Sequence, residues 1–222
     1  MTGREIESLA RRHLLPVMPG FVVRGALVYR PPCDYLLHAV AFDTSGFTSS
    51  RIFVEAFVQP LYHSYDHLTF TYGFRLGDDF WEIDEADPDR AFVAIAEEVR
   101  IHALPFFEEV PDLDRFCAVV PEWEKEQPRR IMQYNSLDDP VVLEDLAYAA
   151  ILRGNKNRAA ELLEEAIASE NESGEYRNDD LVADLEHLLS LLQGPGLEAA
   201  QAQLEEWHAL NVQRLKLDRQ RP

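Results

Sequence analysis

The sequence predicts an α+β protein: an antiparallel four-stranded meander with covering helices, followed by an α-helical hairpin domain. Three observations predict it. Residues 51–76, RIFVEAFVQPLYHSYDHLTFTYGFRL, alternate as two strands around a polar, aromatic, histidine-bearing turn. Residues 88–103 carry a helical apolar stripe suited to covering a sheet. Beyond Asp139 the apolar spacing is helical and is broken only by polar, glycine-bearing turns.

In chain order, residues 2–15 form a short helix. Thr2 and Glu5 have capping-box spacing, and Ile6, Leu9, His13 and Leu14 share a side. Pro16, Pro19 and Gly20 end it. Phe21 to Arg30 reads as the first strand and Asp34 to Phe42 as the second. In the third, Ile52, Val54, Ala56 and Val58 face one way, while Phe53, Glu55, Phe57 and Gln59 face the other. Both faces hold bulky groups, so this strand is central, and Pro60 ends it because it has no N–H to donate. The fourth runs from Leu68 to Leu76 with Leu68, Phe70, Tyr72, Phe74 and Leu76 on one face.

The acidic stretch GDDFWEIDEADPD at 77–89 lacks the glycine and terminal glutamate of a calcium loop and reads instead as the start of a helix. Asp87 is its cap and Pro88 its first residue. Phe92, Ile95, Ala96, Val99 and Ala103 form its stripe, and Pro105 is the expected end. A shorter helix at 112–120 carries Leu113, Phe116, Cys117 and Val120 on one face, which makes Cys117 an inert packing residue. Residues 121–138, with Pro121 and Pro128, read as a linker between a sheet domain at 1–120 and a helical domain at 139–222. The helical domain holds helices at about 140–153, 156–170, 179–193 and 197–215.

Composition limits the function classes. Forty acids against 21 bases give a formal charge of −19, which repels phosphate backbones and anionic lipid. Nucleic acid and membrane are therefore poor partners, and a basic protein is a suitable one. Cys33 and Cys117 form neither a disulfide framework nor a zinc knuckle, and they suit a reducing cytoplasm. The N-terminal residues have no apolar signal core.

Within residues 139–170, Leu143, Leu146, Ala147, Ala150, Gly154, Ala159, Leu163 and Ala166 have small and large residues at the spacing that lets two antiparallel helices interlock. The segment resembles a single tetratricopeptide repeat over about 34 residues. The next helix pair departs from the pattern, because Gly154 and Gly194 stand 40 residues apart. The resemblance implies a role in holding a peptide or protein. The words GFVVRGALVYR and FVEAFVQPLY resemble small bacterial α+β domains of unknown function. Some of these are suspected immunity or toxin-neutralising proteins.

Three groups of residues are candidates for chemistry. His63, Asp66 and His67 in the turn are the ligand types that zinc and other first-row metals choose, with His38 or His102 as a distant third donor. Phe53, Glu55, Phe57, Tyr62 and Tyr72 are candidates to line a small-ligand pocket between sheet and helix. Glu55 stands between two phenylalanines, where desolvation raises a carboxyl pKa, or else pairs with Arg24 or Arg75 on a neighbouring strand. His38 occupies an apolar strand position, as a hydrogen-bonded core histidine does. No nucleophile elbow, phosphate-binding glycine loop, dinucleotide fingerprint or HExxH occurs. The sequence therefore points to a non-enzymatic interaction or inhibitor-like module with a protein partner and no cofactor. A metal-dependent hydrolase at the His63 turn and a small-ligand binder are the alternatives.

Overall fold

The computed structural model describes residues 1–43, 51–64, 67–77, 80–126 and 139–217. Two compact units emerge. The sheet unit comprises Met1–Gln59, Leu68–Pro111 and Leu217–Pro222, and the helical unit comprises Pro60–His67 and Asp112–Lys216.

In the sheet unit, α1 (Gly3–His13) opens on the expected capping box. The Glu5 amide donates to Thr2 Oγ1 at 3.3 Å, and the Thr2 amide donates to Glu5 Oε2 at 2.6 Å. The strands are β1 (Val22–Arg24), β2 (Leu27–Tyr29), β3 (Leu36–Asp43), β4 (Arg51–Pro60), β5 (Tyr72–Arg75) and β6 (Trp81–Glu82). They make an antiparallel sheet in the order β1-β2-β3-β4-β5, with β6 also on β4.

The meander therefore has more and shorter strands than the four expected. Phe21 to Arg30 is not one strand but a hairpin, because Gly25 takes φ +57° and Arg24 pairs with Leu27 across a two-residue turn. The Leu68–Leu76 strand shrinks to β5, because Phe70 adopts φ +54° and breaks the alternation. Its ring then packs edge-on against Phe57, with centroids 4.7 Å apart. Within the acidic stretch Trp81–Glu82 pairs with Arg51–Ile52, which the polar composition concealed.

The cover is α2 (Pro88–Glu98), a π-helical turn (Val99–Ala103) and α3 (Leu104–Glu109). Asp87 precedes α2 but its side chain makes no capping bond. Pro105 does not end the helix as expected. The wide turn before it displaces the carbonyl that a proline ring would strike, and Leu104 N–H reaches back to Val99 O. Phe92 stacks on Phe42 at 5.4 Å, Phe106 meets Phe74 at 5.3 Å and Phe107 meets Phe21 at 5.6 Å, so the cover is tied to the sheet by aromatic pairs.

In the helical unit, α4 (Leu113–Glu126) continues through Pro121, where a break was expected. Phe116, Val120 and Trp123 bury one stripe spanning the proline, and this packing outweighs the lost backbone bond. The rest of the expected linker, 127–138, lies outside the described residues. Helices α5 (Pro140–Leu152), α6 (Lys156–Glu172), α7 (Asp179–Gln193) and α8 (Leu197–Arg214) follow the sequence pattern closely. Asp139, Asn155 and Asn178 cap α5, α6 and α7 through their side chains. Gly154 at φ +80° turns α5 into α6. Helix α5 packs on α6 and α8, α6 on α7, and α7 on α8. Nine of the thirteen α5 residues are buried, which makes it the inner helix of the unit.

Candidate functional site

The clearest concentration of buried chemistry is in the helical unit, where residues 60–64 lie against α5 and α8. His63 is only 1% exposed. Its Nε2 stands 2.6 Å from Asp145 Oδ1 and its Nδ1 3.4 Å from Glu144 Oε1. Both acids lie on α5, and both are buried. Tyr62, also buried, donates its hydroxyl to the Asp145 carbonyl at 3.2 Å. From α8, the Asn211 amide donates to Leu61 O at 2.9 Å and to His63 O at 2.8 Å. The Tyr148 ring completes the wall, with its centroid 5.5 Å from His63 and 5.9 Å from Trp207.

The electrostatics follow from this geometry. Burial opposes a charged imidazole, but the Glu144 and Asp145 carboxylates and their hydrogen bonds outweigh it and carry His63 up to about 10. Burial pushes Glu144 above the usual carboxylate range, and His63 pulls it part of the way back. The two acids therefore favour the protonated ring over the neutral one.

The residues chosen from sequence are dispersed. His63 is not at an exposed strand turn. It is enclosed in the helical unit with both ring nitrogens turned to carboxylates. His67 is exposed, and Asp66 lies outside the described residues. Among the described residues no group of three or more His, Cys, Asp or Glu is arranged to hold a metal. His38 is buried in the sheet unit, 2.5 Å from the Val110 carbonyl, with Phe107 edge-on at 5.8 Å. His102 is exposed beside Glu98, in an open groove of about 570 Å³ that also takes in Phe74, Arg75, Phe80 and Trp81.

The five residues proposed to line one pocket do not share a surface. Tyr72 pairs with Val58 and takes that face of β4, whereas Phe53, Glu55 and Phe57 point to the other. Tyr62 belongs to the helical unit. Of the two arginines considered for Glu55, Arg75 is the partner: it stands directly across the strand pair, with Nε 3.2 Å from Glu55 Oε1 and its guanidinium 4.6 Å from the Phe53 ring. Cys33 is partly buried, and burial pushes its thiol up to about 12. Cys117 is also raised by burial, which suits its expected inertness.

Sequence reasoning missed Glu144, Asp145 and Asn211. The acid pair had a signal, because Glu144-Asp145 interrupts the otherwise apolar run VVLEDLAYAAIL. Two adjacent charges in a helix that is apolar all round must find a buried partner. Asn211 carried no such signal, standing in a mixed polar and apolar helix.

No protein family, no characterised protein and no solved structure matches the chain.

Proposed function

We propose that the protein is a non-enzymatic interaction module of the inhibitor or immunity type, acting through its helical unit on a basic protein partner. The observation that carries this reading is the charge on the outer helices. Residues 156–214 hold thirteen acidic residues against four basic ones. Glu161, Glu164, Glu165, Glu172, Asp179 and Asp180 are exposed there. Tyr176, 84% exposed between α6 and α7, supplies an aromatic anchor among them. Because α5 is buried nearly all round, a partner meets α6, α7 and α8 first.

The likeness of α5 and α6 to a tetratricopeptide repeat supports a role in holding protein, and the acidic surface supports a basic one. Among the described residues no helix is long and apolar enough to cross a membrane. A reducing compartment such as the cytoplasm suits two partly buried thiols outside any disulfide.

The test is affinity capture with the full chain, followed by titration with each purified captured protein. A Glu164→Lys/Glu165→Lys/Asp180→Lys variant serves as the control. The expected result is a basic partner whose affinity falls at least about tenfold on charge reversal and falls again as salt is raised. A partner bound equally by both forms, or none recovered reproducibly, would overturn the reading.

A further inference from the structure

Residues 60–64 sit on the helical unit as a peptide ligand would. The segment leaves β4 at Pro60 and bends at His63 and Ser64, and Leu61, Tyr62 and His63 are each 1% exposed or less. Its main chain is read by one side chain, Asn211, which gives both amide hydrogens to the carbonyls of Leu61 and His63. A tyrosine and then a cation are read by α5, through the Asp145 carbonyl and the Glu144 and Asp145 carboxylates. Main-chain contacts that give affinity, with pockets for alternate side chains that give specificity, are the general form of extended-peptide recognition.

The fit is incomplete at one atom. Asn211 is buried, yet among the described residues its Oδ1 has no hydrogen-bond partner. An amide that donates twice to one stretch of main chain has its oxygen free to accept an N–H in return, and residues 60–64 do not supply one. A buried acceptor left unmatched favours any occupant that meets it.

We propose that the face of α5 and α8 covered by residues 60–64 is a binding site for a peptide segment presenting an aromatic side chain followed by a cationic one, and that residues 60–64 fill it in cis until a partner's segment displaces them. This rests on the interaction-module reading and gives its basic partner a point of entry. Arginine or lysine meets the same carboxylates as His63, and arginine can reach both at once through its planar fork. The in-cis segment acts as a built-in competitor, so a partner must bind the open form to shift the population.

The test uses the full chain carrying His63→Ala and three synthetic peptides: residues 60–67, their His63→Arg form and their His63→Ala form. The substituted protein leaves two buried carboxylates uncompensated, a charge that a peptide in trans relieves. The native and His63→Arg peptides are expected to raise its melting temperature and to bind at least about tenfold tighter than the His63→Ala peptide. Adding Asn211→Ala to the protein is expected to weaken all three peptides, because that residue holds their shared main chain. A folded variant that treats the three peptides alike overturns the proposal.

Should His63→Ala fail to fold, hydrogen exchange in the unsubstituted chain gives the answer. Saturating His63→Arg peptide is expected to speed exchange at the amides of residues 61–64, with the Ser64 contact to Asp184 on α7 released as well, while leaving α6 unchanged, and exchange at 61–64 that does not move overturns the proposal. Partner capture by the outer acidic face is read separately by the α6–α7 charge reversal. Failure of the peptides therefore removes this site and leaves the wider reading standing.

Discussion

The two units handle a carboxylate near an apolar layer in opposite ways. In the sheet unit Glu55 reaches outward to Arg75, whose side chain is 40% exposed and lies over Phe53. In the helical unit Glu144 and Asp145 are closed in with His63, all three side chains at 3% exposure or less. Glu55 is itself covered, but Arg75 keeps the charged end of the first pair in contact with solvent. The second is a buried cluster whose members depend on one another, because removing one leaves an uncompensated charge away from water. What the comparison teaches is that both sites cover their acids and differ in the cation: Arg75 reaches solvent, whereas His63 is sealed in with Glu144 and Asp145.

The largest expected effect breaks the buried cluster. His63→Ala should lower unfolding free energy by about 3–5 kcal/mol in denaturant titration. His38→Ala, which removes one bond to a carbonyl, should cost visibly less. Equal losses would erase the distinction between the units.

The second effect is pH dependence. The folded-state pKa of His63 stands near 10, above the unfolded value of about 6.5. Its contribution is therefore fully present below about pH 6.5 and is lost as pH rises towards 10. The stability gap between the unsubstituted chain and His63→Ala should narrow across that window. A gap that stays constant would show that the ring is not held charged.

Asn211→Ala comes next, at about 1–3 kcal/mol, because it leaves the buried carbonyls of Leu61 and His63 without their donor. The smallest is Arg75→Ala. Because its Arg75 end is open to solvent, the pair should contribute less than about 1 kcal/mol. A loss as large as that of Asn211→Ala would mean that the sheet unit also relies on a desolvated charge.

Much of the fold was legible because it is local. The Thr2–Glu5 capping box, the helix start at Asp139-Pro140 and the turn at Gly154 each draw on residues within one helical turn. Where local signals conflicted with packing, packing won. Pro105 and Pro121 were read as breaks, yet the helices continue because apolar stripes on both sides of each proline are buried. Gly25 and Phe70 hid their turns inside alternating runs, since alternation reports side-chain polarity and not φ.

The candidate site was barely legible. His63 meets Asp145 across 82 positions of sequence, and Asn211 meets His63 across 148. By itself the sequence determined the fold class, the capping box of α1, the extents of α5 to α8 and the excess of acid, because those depend on composition and on neighbours a few residues apart. Which histidine would be sealed away, which acids would surround it and which amide would grip its backbone were decided only by the tertiary structure. Burial is a property of the elements that close around a residue, and no stretch of chain contains its own surroundings.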